Sequence, residues 1–495
     1  MKVVKALDEQ KVDQEQESTE IKSGFIKMKK FHFIMLLFLV VFLSVGITTF
    51  ALAFGKEKTE SVRPPEKIEF NKFFTAYDTL KDGYFQKVDQ NKLINGAING
   101  MVEALDDPYS DYMSNDETKS FHSSISSSFE GIGAEIQEKD SHIVIVSPIK
   151  GSPAEKAGLK PNDMVMAVDG KSLQGKSSTE AVTLIRGKKG TKVELTIQRP
   201  GTEGPVKVPI IRDTIPIETV YGEMVGDGIA KVQITSFSSK TSEELVAKLN
   251  DLQKQGMKGL VLDLRQNPGG LLDQAINISS LFVPKGEILF KVEDRDGKIK
   301  EYQSQNKGTP TMPLVVLIDK GSASASEILS AAVKESAGVS LVGEKSFGKG
   351  TVQTAQDFPD GSDLKYTMAK WLTPEGNWIH KKGIKPDYAV SLPSYASLPI
   401  INPEKELKLS SASTEVKTAQ QMLKAVGYNP GREDGFFDEK TKAAVMAFEK
   451  DQKLAMDGVL KGNSSMKLME LLREKIDKND TQLQKAIEIL KQKMK

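Results

Sequence analysis

The chain has 495 residues, 39% of them hydrophobic and 27% charged, with a net charge of +1, no cysteine and four histidines. That length exceeds one hydrophobic core and calls for two to four domains. The missing cysteines exclude disulfides, thiolate nucleophiles and thiolate metal sites, and the near-zero charge gives no support to a nucleic-acid partner.

Residues 1–30 are polar and close on a basic cluster, Lys22, Lys27, Lys29 and Lys30. Residues 31–54 carry no charge, and a bilayer span needs roughly 20 apolar residues. Basic residues ahead of such a span keep the N-terminus cytoplasmic and put the remaining chain outside, as a single-pass protein of the cell membrane. Ala51-Leu52-Ala53 has the form of a signal cleavage site, so a secreted product is the alternative; the long apolar run favours an anchor. Met28 is a second candidate start.

Residues 56–67 form a charged linker. From Ile68, apolar residues recur at helical spacing through Phe73, Phe74, Tyr77 and Leu80, then Leu93, Ile94, Ile98, Met101 and Val102. The spacing predicts two amphipathic helices within 68–114, a surface on which a homodimer could form. Residues 115–213 read as β-rich. The order of strands and turns, and the wording Ser152-Pro153-Ala154-Glu155-Lys156-Ala157-Gly158-Leu159, resemble a PDZ domain. That resemblance implies capture of a peptide C-terminus, with Gly131, Ile132 and Gly133 as the carboxylate-binding loop. Arg186 is a further substrate-binding candidate, or a coupling residue to the next domain. Residues 214–393 alternate strands and helices, an α/β layout.

Three segments of that α/β region carry chemistry. Asp319 to Ile328 is a small-residue turn from an apolar strand into a helix, with Ser322, Ser324 and Ser326 as candidate nucleophiles; the pattern alone equally suits a helix cap. Gly343 to Gln353 holds Lys349 between Gly348 and Gly350 in an apolar setting, where lost hydration would lower its pKa toward that of a general base. The same segment begins like a phosphate-binding loop, yet Gly350 stands where that motif requires Ser or Thr. Asp263-Leu264-Arg265-Gln266-Asn267-Pro268-Gly269-Gly270 follows a buried strand and can offer backbone N–H groups. His122, His142 and His380 have no obvious nucleophile beside them, so a histidine triad is not expected.

Together the three segments, in this order beside a PDZ-like region, resemble the carboxyl-terminal processing (tail-specific) proteases of peptidase family S41, and the overall layout resembles the Bacillus type within that family. The resemblance implies a serine endopeptidase with Ser324 as nucleophile, Lys349 as general base and Gln353 orienting the lysine. It implies oxyanion donors at the N–H of Ala325 and of Gly270, or Gly269, and neither cofactor nor metal. Substrates would be proteins or peptides with accessible C-termini, in envelope or sporulation signalling.

Residues 394–412 read as a linker. Residues 413–475 resemble a peptidoglycan-binding module, making peptidoglycan a further partner, and 476–495 read as a solvated Lys-rich tail, helical in pattern. The fold class expected is therefore multidomain α/β: a transmembrane helix, a helical segment, a PDZ-like domain, an S41 core and a small helical C-terminal domain. The competing function is a non-catalytic envelope scaffold that binds peptides and peptidoglycan.

Overall fold

A computed structural model describes residues 68–139, 142–202, 204–305 and 312–495. The expected cytoplasmic segment and membrane anchor lie outside these residues. Among the described residues, no helix is long and apolar enough to cross a membrane. The chain divides into two compact units, one ending at Leu93 and one running from Ile94 to Lys495. In the first, helix α1 (Asn71–Gly83) exposes Phe73, Phe74 and Leu80. Helix α2 (Gln90–Glu103) starts in the first unit and continues into the second.

The second unit opens with strand β1 (Asp111–Met113) and helix α3 (Asn115–Ile125). Ser114 starts α3 by donating from its N–H and its hydroxyl to the Glu117 carboxylate, which fixes the first turn. This corrects the expectation that β structure begins at 115. Strand β2 (Ser128–Gly131) then leads into the PDZ-like domain: β3 (Ala134–Lys139), β4 (His142–Pro148), the short α4 (Pro153–Lys156), β5 (Met164–Val168), β6 (Lys171–Ser172), α5 (Ser178–Ile185), β7 (Lys192–Gln198) and β8 (Val206–Ile211). Alternation builds its core. Val193, Leu195 and Ile197 of β7 point inward with Ile143 and Ile145 of β4. The sheet order is β3-β4-β5-β7-β8, which leaves β3 at an edge, and β9 (Asp213–Pro216) returns to pair with β2.

The protease core follows: β10 (Val220–Gly226), β11 (Ile229–Ile234), α6 (Thr241–Lys254), β12 (Gly259–Asp263), α7 (Leu272–Phe282), β13 (Ile288–Asp294), β14 (Ile299–Gln303), β15 (Leu314–Ile318), α8 (Ala325–Ala337), β16 (Ser340–Gly343), β17 (Thr351–Asp357), β18 (Asp363–Leu372) and β19 (Tyr388–Ala389). Its central sheet has the order β10-β11-β12-β15-β16-β19 and is parallel from β11 to β19. β12 and β15 are buried along their whole length, as a parallel strand covered on both faces must be. A second sheet, containing β1, β13, β14, β17 and β18, stands beside it.

The C-terminal region holds α9 (Thr414–Val426), α10 (Glu439–Asp451), α11 (Asn463–Lys478) and α12 (Thr481–Lys493). Two sequence expectations fail here. The supposed linker 394–412 contributes Ile401 and Leu407 to the buried core of the helical module, and Leu407 bridges to Leu460. Its polar composition hid two anchoring residues. The supposed solvated tail is α12, whose Ala486, Ile489 and Leu490 are buried against Ile229, Val261, Val315, Leu317 and Val342 of the central sheet. Its lysines occupy the outer face, so composition described only half of an amphipathic helix.

Candidate active site

The three motif segments leave the carboxyl ends of neighbouring parallel strands: β12 ends at Asp263, β15 at Ile318 and β16 at Gly343. Parallel α/β sheets place ligand crevices at that edge. A cleft of about 460 Å³ opens there, lined by Gly270, Ser324, Ala325, Lys349 and Gln353 together with Tyr109 and Trp371.

The structure separates the three serines. Ser322 is buried and its hydroxyl donates to the Leu264 carbonyl at 2.8 Å. Ser326 is buried and donates to the Asn267 carbonyl at 2.9 Å. Ser324, half-buried, lines the cleft at the start of α8. Its backbone has φ 54° and ψ −114°, a strained conformation for a residue with a side chain, costing on the order of 1–3 kcal/mol. The surrounding loop holds it there. Ala323 N–H donates to the Asn267 carbonyl at 3.0 Å, and Ser324 N–H donates to Glu327 Oε2 at 2.9 Å.

Asn267 is fully buried and organises the Pro-Gly-Gly turn. Its amide donates to the Ile234 carbonyl, and its Oδ1 accepts the Gly269 N–H at 2.9 Å. That bond occupies the Gly269 donor. The N–H groups of Gly270 and Ala325 take no partner among the described residues. Of the sequence alternatives, Gly270 is therefore the available donor. Gly269 has φ +100°, and a Cβ there would lie 2.7 Å from the Ala323 carbonyl and 2.9 Å from Ser324 Cβ. Glycine is required for the turn to reach the serine loop.

Lys349 lies in a loop clamped on both sides. Glu327 is fully buried; its Oε1 accepts the Ser346 hydroxyl and the Gly348 N–H, and its Oε2 accepts the Lys349 N–H at 2.8 Å. One carboxylate thus ties the serine turn to the lysine loop. Trp371 Nε1 donates to the Lys349 carbonyl and Trp378 Nε1 to the Gly350 carbonyl. A Cβ at Gly348 would strike the backbone at Gly383, and one at Gly350 the backbone at His380. Burial pushes the Lys349 ammonium below the usual lysine range; nearby Lys365 adds to this, against Asp107 and Glu327. Burial would raise Asp107 itself, but hydroxyls of Thr367 and Ser110 and the Tyr109 N–H hold its carboxyl low.

Lys349 Nζ rests 4.8 Å from the centre of the Tyr109 ring, and no hydrogen bond joins it to Ser324 Oγ in this conformation. Gln353 lines the same cleft, yet its amide donates to the hydroxyls of Thr351 and Thr367 rather than to Lys349. His380 sits in irregular chain and stacks on Trp378. Glu327, Asn267, Asp107 and Tyr109 were missed by the sequence reading. For Glu327 a signal existed: it stands three residues after Ser324, the spacing of a reciprocal helix cap.

In the PDZ-like domain, the Ile132 carbonyl accepts the Ala154 N–H, and the Gly133 carbonyl accepts the Ile149 N–H and the Ser152 hydroxyl. Gly131 ends β2. The Arg186 guanidinium lies 4.7 Å over the Phe129 ring, beside Gly131.

Comparison with known proteins agrees with this architecture. Residues 228–390 match the model of peptidase family S41, 144–199 a PDZ domain, 51–118 the N-terminal domain of the activating protease CtpB and 412–462 a putative peptidoglycan-binding domain. The chain is 51% identical to the carboxy-terminal processing protease CtpA of Bacillus subtilis, over 86% of this chain and 91% of that one. It is 45% identical to CtpB of the same organism, over 88% and 91%, and 40% identical to a probable CtpA-like serine protease of Staphylococcus aureus, over 97% and 96%. Fold and relatives define a serine endopeptidase with a PDZ domain and a helical C-terminal region. The chain belongs to peptidase family S41, among the carboxy-terminal processing proteases.

Proposed function

We propose that this endopeptidase cleaves proteins recognised through their C-terminal tails, by an acyl-enzyme route with Ser324 as nucleophile and Lys349 as general base. The carrying observation is the contrast among the serines: Ser322 and Ser326 are committed to buried carbonyls, while Ser324 faces a cleft shared with Lys349. A neutral Lys349 amine, leaving the Tyr109 ring by rotation about its own side-chain bonds, takes the Ser324 proton as Oγ attacks the scissile carbonyl. The Gly270 and Ala325 N–H groups meet the oxyanion. The protonated amine then gives its proton to the leaving nitrogen, and water releases the acyl group. Gln353 positions Lys349 once the lysine has moved.

The free edge of β3 supports strand-wise capture of a substrate tail, with Gly131, Ile132, Gly133 and Arg186 near its carboxylate. The uncharged run 31–54 supports a membrane anchor with the catalytic part outside, and the helical C-terminal module supports peptidoglycan as a partner. The apolar residues left exposed on α1 support a homodimer. A role in envelope or sporulation signalling rests on the resemblance to the Bacillus type.

The test is digestion of an unfolded substrate by the full chain. Ser324→Ala should abolish cleavage and retain the substrate on a pull-down; a Ser324→Ala protein that still cuts refutes the assignment.

A further inference from the structure

We propose that His122, Asp357 and Asp363 form a divalent-cation site, of the type that takes Zn²⁺, at the far end of the cleft wall. His122 lies in the last turn of α3, Asp357 ends β17 and Asp363 begins β18. Asp357 and Asp363 face each other directly across the hairpin. One donor atom from each residue lies within 4.8 Å of the other two, and among the described residues no other such group exists.

A group of acidic residues is common on surfaces, and His122 and Asp357 are exposed. Asp363 is the independent observation. Its side chain is fully buried, and neither carboxylate oxygen has a hydrogen-bond partner. Among the described residues, no lysine or arginine pairs with it. A buried carboxylate without partner or counter-charge is among the costliest arrangements in a protein, and natural ones are paired or coordinate metals. Here the remaining groups around it are a second carboxylate and an imidazole, which together complete a metal-binding set.

The donor chemistry narrows the ion. One nitrogen and two carboxylate oxygens suit zinc, while magnesium and calcium prefer all-oxygen shells. Tetrahedral zinc holds its donors about 3.4 Å apart, given bonds of roughly 2.0–2.2 Å. The exposed side chains of His122 and Asp357 can close that difference by rotation, with Asp363 as the fixed member and water as the fourth ligand. The ion would join α3 to the β17–β18 hairpin. Both line the active-site cleft, through Phe121 and Ile125 on one side and Thr351 and Gln353 on the other. Zinc would therefore fix the separation of two cleft walls without touching Ser324 or Lys349. The sequence, from which no metal was expected, concealed this because His122 lies far along the chain from Asp357 and Asp363.

The experiment treats the full chain with chelator, removes the chelator and titrates zinc chloride by calorimetry, with melting curves at each point. The proposal expects one zinc per chain and a melting temperature that rises with zinc. His122→Ala and Asp357→Asn should each weaken zinc binding at least about 10–100-fold, the loss seen even when outer partners of a metal site are removed. His142→Ala should bind as the wild type does. Metal-free Asp363→Asn should melt above metal-free wild type, because it removes an uncompensated charge, and should no longer respond to zinc. Absence of stoichiometric zinc uptake by wild type overturns the proposal. So does undiminished uptake by both His122→Ala and Asp357→Asn, or an Asp363→Asn protein that folds and, metal-free, melts below wild type. The two exposed-residue variants keep the test decisive if Asp363→Asn does not fold.

Discussion

The two faces of the central sheet are buried to the same degree by different means. On one face, α6, α7 and α8 pack over Val232, Leu260, Leu262, Val316 and Ile318, and α8 carries Ser324 at its start. On the other, α12 alone packs over Val261, Val315 and Leu317. The catalytic face is held by directional polar locks, Asn267 and Glu327, which fix atoms in place. The α12 face is held by apolar area and by polar ties at the helix ends; at its start Arg265 bridges Asp263 and Asp480 at 2.7 Å each and donates to Gln482 at 2.9 Å, and near its end Lys491 pairs with Asp227 at 2.6 Å. Arg265 belongs to the same turn as Gly269 and Gly270, so the C-terminal helix buttresses the Pro-Gly-Gly turn from behind. The proposed chemistry resides on the first face and support on the second.

This contrast can be broken by substitution. Ser324→Ala should reduce kcat by about 10⁴-fold or more with stability almost unchanged, as removing a nucleophile does; kinetics with a peptide substrate and a melting curve check both halves. Arg265→Ala leaves Asp263 and Asp480 without their cation and should cost roughly 3–5 kcal/mol of stability, read by urea unfolding. Gly269→Ala introduces a Cβ against the serine loop and should lower kcat by about 10²–10³-fold, comparable to losing one oxyanion donor. If Gly269→Ala were fully active, the close approach would carry no catalytic weight. Leu490→Ala opens a cavity on the α12 face and should cost about 2–5 kcal/mol while kcat for the folded fraction stays the same. A large loss of kcat there would show that the two faces are not separable.

The smallest effect concerns Lys349. Its folded pKa lies below the unfolded value, so the charged form is disfavoured in the fold. That destabilisation is fully present below the folded pKa and is relieved as pH rises toward the unfolded value. Lys349→Met should therefore be more stable than wild type near neutrality. The gap should narrow with rising pH, as melting curves across pH would show.

The catalytic face was readable because close backbone approach demands small residues. Gly269, Gly348 and Gly350 stand where a side chain would strike main chain, and that requirement is written directly as glycine. The order of the motifs also carried the family resemblance. Asn267 was not legible, because it acts through backbone groups of loops distant in sequence and a lone Asn carries no such signature; Glu327 left only its cap spacing from Ser324, which does not reveal its reach to the lysine loop. The α12 face was misread for another reason. Ala486, Ile489 and Leu490 are too few among lysines for composition to register, although their spacing is helical. The linker failed in the same way, since Ile401 and Leu407 are buried inside a polar stretch.

The pH dependence of Ser324 acylation tests the central chemistry most directly. The full chain, treated with a fluorophosphonate probe at a series of pH values, should be labelled at Ser324 alone, as peptide mass spectrometry would show. The labelling rate should climb as Lys349 loses its proton, and both the rate and its pH dependence should collapse in Lys349→Ala. Labelling at another serine, or an unchanged pH profile in Lys349→Ala, would contradict the account.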